Sequence, residues 1–137
     1  MVKPLYKLVL ALSISFAVLS SLVSCTLSPD AMETLDSSIR SYERAIRWGD
    51  FTRAKSFHKN APTLSDLERR RLKFYRVTDY SVLQHNTTDK YNSLLMVEVK
   101  YYKNDLPVVK TITAKQHWKR EKESNIWYLD SEFPKFR

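Results

Sequence analysis

Glycine and cysteine are almost absent from this chain of 137 residues, which contains one of each. A single glycine leaves no glycine-rich loop for a phosphate group and no dinucleotide-binding fingerprint. A single cysteine excludes an internal disulfide, and a cysteine-ligated metal cluster needs more than one. The remaining composition, with 43% hydrophobic and 28% charged residues, is typical of one globular domain and not of a disordered chain.

The beginning of the chain combines basic charge with a short apolar segment. Lys3 and Lys7 precede an uncharged run from Leu8 to about Leu22. A membrane-spanning helix needs roughly 20 apolar residues, and this run is shorter and interrupted by serines. A basic segment followed by a short apolar segment indicates a secretory signal peptide.

The end of the apolar run resembles a bacterial lipobox, whose residues here are Leu22, Val23, Ser24 and Cys25. The resemblance implies a signal peptide over residues 1–24, cleavage before Cys25 and a lipidated tether over residues 25–29. Fatty acids such as palmitate then anchor the protein, because several acyl chains bind a membrane stably. The alternative is an ordinary signal peptide, or a membrane helix with a chance cysteine.

The residue after the cysteine bears on the location of the protein. In lipoproteins of Gram-negative bacteria, an aspartate at this position tends to retain the protein at the inner membrane. This chain has Thr26 there. The resemblance therefore favours a protein anchored in the outer membrane and facing the periplasm.

Residues 30–137 predict one domain that begins with helices. Apolar residues at steps of three and four predict a long helix with one buried stripe, formed by Met32, Leu35, Ile39, Tyr42 and Ile46. Gly49 lies where a left-handed helix cap is expected. Asp50 then predicts the N-cap of a short second helix, and Ser65 and Asp66 predict the start of a third helical turn.

From about Phe74 the apolar pattern changes to alternation, which predicts strands. We expect strands over residues 74–84, around 95–101, over 108–120 and over 126–133, with turns at 86–90, 103–105 and 121–125. These turns contain no glycine, so loose connections are expected rather than tight two-residue hairpins. Helices followed by consecutive strands favour an α+β fold with an antiparallel sheet.

Two segments resemble NTF2-like (cystatin-like) domains. The segment from Tyr42 to Ala54 is similar to their helix–Gly-Asp–helix corner, and Trp118–Glu121 with Trp127–Leu129 is similar to their last hairpin. The chain resembles small bacterial lipoproteins with this fold over roughly residues 30–133. The resemblance implies a long helix and a short helix packed on a curved, four-stranded antiparallel sheet, a cone with a pocket inside. It implies no activity, because this fold hosts enzymes, transport factors and inert modules.

Candidate chemical groups are few. Inside such a cone, Tyr80, His117 and Asp130 are the candidate pocket residues. A carboxylate such as Asp79 or Asp130 is either a general base with a raised pKa or a member of a salt bridge. The histidines are far apart for a metal site, and no serine lies in a glycine-flanked elbow. We therefore expect no catalytic residues, no metal and no cofactor.

The chain has a net charge of +8, and part of it lies in one basic run. This run is formed by Arg69, Arg70, Arg71, Lys73 and Arg76. One interpretation is a solvated surface that keeps a small domain soluble. The functional interpretation is a patch for an anionic partner, either an envelope protein or an anionic lipid. A periplasmic location argues against nucleic acid as the partner.

These observations predict a membrane-anchored periplasmic lipoprotein that acts as a non-catalytic binding or scaffolding module of the cell envelope. The alternative is a protein that binds a small ligand in the cone pocket, and an enzyme is the third hypothesis. A homodimer formed through the sheet is a further expectation.

Overall fold

A computed structural model of the protein describes residues 31–60 and 62–137. The expected signal peptide, lipobox and tether lie outside the described residues. The elements follow in the order α1 (Ala31–Arg47), α2 (Phe51–Ser56), α3 (Asp66–Leu72), β1 (Tyr75–Asp89), β2 (Asn92–Lys103), β3 (Leu106–Arg120) and β4 (Trp127–Leu129). The strands form one antiparallel sheet in the order β1-β2-β3-β4. The predicted α+β class with a four-stranded antiparallel sheet is therefore confirmed.

Helix α1 packs one stripe of side chains into the core. The stripe matches the predicted spacing and is formed by Leu35, Ile39, Tyr42 and Ile46, with Ala45 beside them. The Tyr42 ring meets the edge of Trp118 from β3, with 5.9 Å between ring centres. Met32 was predicted for the same stripe, and this is wrong because its side chain is 41% exposed. It lies in the first described turn of α1, where helical side chains lean toward the N-terminus and away from the packed turns.

The corner between α1 and α2 confirms the predicted caps. Gly49 has a φ of 72°, and its N–H donates to the carbonyl oxygen of Ile46 over 3.2 Å. The Asp50 side chain accepts a hydrogen bond from the backbone N–H of Arg53 over 3.1 Å and starts α2. Ser65 starts α3 in the same way, within a capping box.

The two long hairpins differ from the prediction. Two residues connect β1 to β2, and two residues, Asn104 and Asp105, connect β2 to β3. The expected turn over residues 86–90 belongs mostly to β1, which continues to Asp89. The Asp89 carboxylate stabilises this end, because its Oδ1 accepts the backbone N–H of Tyr91 over 2.7 Å. The prediction of loose connections is therefore wrong.

The hairpins close without glycine, and the strand pairing shifts beside both of them. Two-residue turns of types I′ and II′ need a positive φ. Among the described residues, positive φ values occur at Gly49 and Asn125, and neither lies in these turns. The register instead shifts between Thr87 and Asp89 and again between Tyr101 and Lys103. Such bulges bend the strand and increase its local twist.

The last strand is shorter than predicted, because β4 ends at Leu129 and not near residue 133. After Leu129 the chain leaves the sheet to bury Phe136, whose ring lies 5.0 Å from that of Phe51. The outer side of β4 pairs with the segment after α2. The Leu129 N–H donates to the carbonyl oxygen of Phe57 over 2.7 Å, and the Lys59 N–H donates to that of Leu129 over 3.3 Å. This pairing places α2 beside the chain segment that follows β4.

No described helix has both the length and the apolar character needed to cross a membrane.

Candidate functional site

A cavity of about 730 Å³ lies between α2, α3 and the segment after β4. This volume falls within the range of about 300–1,000 Å³ in which proteins bind small ligands. The apolar part of the lining is formed by Leu64, Leu72, Leu129, Phe133 and Phe136. The charged part is formed by Lys55, Glu68, Arg71, Asp130, Glu132, Lys135 and Arg137.

The histidine in the cavity wall, His58, is a structural group with both ring nitrogens occupied. Its Nδ1 lies 2.7 Å from the carbonyl oxygen of Ser131. A carbonyl oxygen only accepts, so Nδ1 carries the proton and donates. In the neutral ring, Nε2 then accepts from the Tyr42 hydroxyl over 3.2 Å. Because the residue is only 4% exposed, burial lowers the pKa of His58, although the Ser131 hydrogen bond partly opposes this.

The acidic groups of the cavity are each engaged by the protein itself. Asp130 forms an ion pair with Lys119, whose hydrogen bond and charge lower the pKa of that carboxyl. Glu132 lies 2.8 Å from the ammonium group of Lys135. Glu68 accepts hydrogen bonds from the backbone N–H and the hydroxyl of Ser65, and these lower its pKa. All three carboxyls are therefore ionised at neutral pH and already have donors.

Three cations of the cavity, Lys55, Arg71 and Arg137, have no such partner among the described residues. Among the described residues, neither Lys55 nor Arg71 has a carboxylate oxygen within 4.0 Å. The Lys55 ammonium lies 5.4 Å from the ring centre of Phe133. The charges of both side chains lower the pKa of the nearby Glu68 carboxyl. The cavity therefore presents positive charge beside an apolar wall.

The predicted basic run forms an exposed surface on α3 and the chain that follows it. We call its members, Arg69, Arg70, Arg71, Lys73 and Arg76, the basic surface; all five are exposed. Among the described residues, Arg69 is the one member with a carboxylate partner, Asp66. Leu67 and Phe74 accompany these cations and are 71% and 53% exposed. Arg71 belongs both to the basic surface and to the cavity wall.

The chain that follows α3 reaches the sheet at the end opposite to the start of α1. The Phe74 carbonyl oxygen accepts the N–H of Asn104 over 2.8 Å, at the end of the sheet where β2 finishes. The Thr34 hydroxyl accepts from the Trp127 indole over 3.1 Å, at the end where β2 begins. The two contacts therefore lie at opposite ends of β2.

The candidate pocket residues do not share one cavity. Tyr80 lies in the core, where its hydroxyl donates to Gln116 over 3.2 Å and burial raises its pKa. His117 lies between Gln116 and Trp118, which are buried against α1, so its side chain occupies the opposite face of the sheet. Asp130 lines the cavity described above. Its lowered pKa differs from the raised pKa that a general base would need.

Sequence reasoning missed the role of His58, which it treated only as one of three histidines too far apart for a metal site. The signal was weak, because a lone histidine after a short helix is usually solvent-exposed. Tyr42 and Ser131 contact its ring from distant parts of the chain, and no local pattern joins them. Asp79 also lies outside the cavity and pairs with Arg47 over 3.4 Å.

Comparisons with known proteins do not add an identity. No protein-family model matches the chain, and a search of curated proteins finds no match. Within residues 31–60 and 62–137, no group of three histidine, cysteine, aspartate or glutamate side chains is arranged to hold a metal ion.

Proposed function

We propose that this protein is a lipid-anchored module of the bacterial cell envelope that binds an acidic protein partner without catalysing a reaction. The observation that carries the proposal is the basic surface. Its five cations are exposed and, among the described residues, four of them have no carboxylate partner. A protein that needed only solubility would gain as much from charges of mixed sign.

The apolar residues at this surface support a binding role. Leu67 and Phe74 are large and exposed beside the cations. Apolar groups rimmed by charge are typical of interaction sites, and complementary charge steers a partner and selects it. An acidic protein segment with apolar side chains fits this combination.

The position of the basic surface favours a protein over the anchoring membrane. The proposed anchor at Cys25 is separated from α1 by five residues. Phe74, next to Lys73, contacts the chain just after β2 ends, whereas Thr34 of α1 lies at the end where β2 begins. A short tether therefore directs the basic surface away from the membrane that holds the lipid.

An NTF2-like architecture is part of the proposal. The support is a long helix, α1, on a four-stranded antiparallel sheet, with the Gly49–Asp50 corner leading into a short second helix. The register shifts in the pairing of β1 with β2 favour curvature of the sheet. Outer-membrane anchoring toward the periplasm remains the proposed location.

The anchor is tested by metabolic labelling with a palmitate analogue. We expect the wild-type protein to be labelled and Cys25→Ser to lose the label entirely, because the thiol is the acylated group. Thr26→Ser is the matched control and should keep the label. Labelling of Cys25→Ser equal to that of the wild type would overturn the lipoprotein proposal.

The partner is tested by photo-crosslinking in intact cells. A benzophenone side chain at position 67 should capture one acidic envelope protein, and the same group at exposed Arg40 on α1 should not. Changing Arg70 and Lys73 to glutamate should remove the crosslink, whereas Arg40→Glu should leave it. Capture of lipid alone at position 67 would overturn the choice of a protein partner, and capture of the protein itself would identify a homodimer instead.

A further inference from the structure

We propose that the cavity between α2, α3 and the segment after β4 binds a small amphipathic anion. The ligand class is a single carboxylate or phosphate head with a short alkyl or aryl body. The head lies between Lys55 and Arg71, and the body lies against the apolar wall. This inference shares Arg71 with the basic surface but concerns a different partner.

The charges of the cavity select for an anion. Lys55 from α2 and Arg71 from α3 both line the cavity and, among the described residues, have no carboxylate within ion-pair distance. Glu68, Asp130 and Glu132 already have donors from the protein. A bound anion supplies the partner that the two cations lack, whereas a bound cation would leave them unpaired. Charge-assisted hydrogen bonds of this kind are among the stronger ones in proteins.

The apolar wall selects for a hydrocarbon body. Leu64, Leu72, Leu129 and Phe136 line the cavity and also belong to the hydrophobic core. A body placed against these side chains loses contact with water, which contributes roughly 25 cal/mol per Å² of apolar surface buried. A small inorganic anion gains no such contribution, so it should bind more weakly than an amphiphile with the same head.

The side chains of the cavity wall are held in place before a ligand binds. His58 is held at both ring nitrogens, by Ser131 and by Tyr42. The Phe133 ring contacts the His58 ring, with 5.5 Å between their centres. Preorganised side chains reduce the entropy lost when a ligand binds.

The test uses the full lipidated protein in phosphatidylcholine nanodiscs, titrated calorimetrically with octanoate and with octyl phosphate. Empty nanodiscs supply the blank. We expect saturable binding of at least one probe, and the stronger of the two identifies a carboxylate or a phosphate head. Acetate should bind at least tenfold more weakly than octanoate, and octylammonium should show no saturable binding.

Variants then separate the cavity from the basic surface. We expect Lys55→Gln and Arg71→Gln each to weaken binding of the anionic probe about tenfold or more, since a hydrogen bond to a charged group contributes roughly 1.5–3 kcal/mol. Arg70→Gln is the matched control, because Arg70 is exposed on the same helix but does not line the cavity. Thermal melts of each variant confirm that the domain stays folded.

Three results would overturn the inference: no saturable heat with either anion, octylammonium bound as tightly as octanoate, or equal affinities for wild type and Arg71→Gln. Lys55→Gln and Arg70→Gln also keep the two proposals distinguishable. The first variant should bind the anionic probe more weakly and keep the crosslinked partner. The second should keep the probe and weaken the crosslink.

Discussion

The imidazole of His58 donates a hydrogen bond from Nδ1 to the carbonyl oxygen of Ser131 over 2.7 Å, joining residues that are 73 positions apart in the sequence. This bond connects the end of α2 to the chain that follows β4. The opposite nitrogen accepts from Tyr42 of α1 in the neutral ring. One histidine therefore holds three parts of the chain around the cavity, and its neutral form satisfies both contacts.

We expect acid to destabilise the protein through His58. Burial lowers the pKa of His58 in the folded state below its ordinary value near 6.5. As the pH falls below about 6.5, the unfolded chain binds a proton that the folded state does not, so the free energy of unfolding falls. Above that pH the contribution is fully present. Urea denaturation at pH 7.5 and 5.5 measures the difference.

The variant His58→Gln should show a smaller pH dependence over this range, whatever its overall stability. The carboxyls with lowered pKa values, such as Glu68 and Asp130, titrate below this window and do not contribute to it. Equal slopes for the wild type and His58→Gln would contradict the assignment.

The buried stripe of α1 predicts that the same substitution affects folding differently at a buried and at an exposed position of this helix. Ile39→Asp should prevent folding, because it places a carboxylate in the core. Met32→Asp is the matched control on the same helix and should fold normally, since Met32 is exposed. Circular dichroism and size-exclusion chromatography measure both outcomes. A well-folded Ile39→Asp protein would mean that the stripe is not part of the core.

Gly49 tests backbone strain at the α1–α2 corner. Gly49→Ala should lower the free energy of unfolding by roughly 1–2 kcal/mol, because a residue with a Cβ is strained at a φ of 72°. The cause is conformational and not steric, since an added Cβ would lie 3.9 Å from its nearest neighbour, in the ring of Phe51. Gly49→Asn should cost less, because asparagine tolerates this conformation. Equal losses in chemical denaturation would point to packing instead.

Ser65 tests the link between α3 and the two proposed sites. Ser65→Ala removes the hydroxyl that accepts from the Glu68 N–H over 3.3 Å and should cost about 1 kcal/mol of stability. It also removes one donor to the Glu68 carboxylate, so octanoate binding at the neighbouring Arg71 should weaken. Ser65→Thr keeps a hydroxyl and is the control. Unchanged stability and affinity in Ser65→Ala would show that the capping box does not support α3.

Local patterns in the sequence were sufficient to predict the helices and their caps. The stripe from Leu35 to Ile46, the Gly49 cap and the Asp50 and Ser65 starts all depend on residues a few positions apart. Helical order is local in this sense, because each hydrogen bond joins residues four apart. Strand ends were less predictable, since the hairpins at Asp89 and Lys103 depend on shifts in pairing with another strand.

The candidate site also has a part that the sequence predicts and a part that it does not. The basic surface was predictable because Arg69–Arg71, Lys73 and Arg76 follow one another in the sequence, and charged side chains remain in water. The cavity was not predictable, because Lys55, Arg71 and Asp130 come from three separate segments. His117 was expected to share a pocket with Tyr80, but strand geometry places the two on opposite faces of the sheet.

The sequence by itself determined the α+β class, the helix caps and the position of the exposed charge, since each follows from neighbouring residues and their contact with water. Only the tertiary structure decided which residues meet across the end of β4. These contacts bury Phe136 in the core, hold His58 between Tyr42 and Ser131, and bring Lys55 and Arg71 to the same apolar wall. These contacts join residues that are far apart in the sequence. Each of them therefore depends on how separate segments pack together and not on a local sequence pattern.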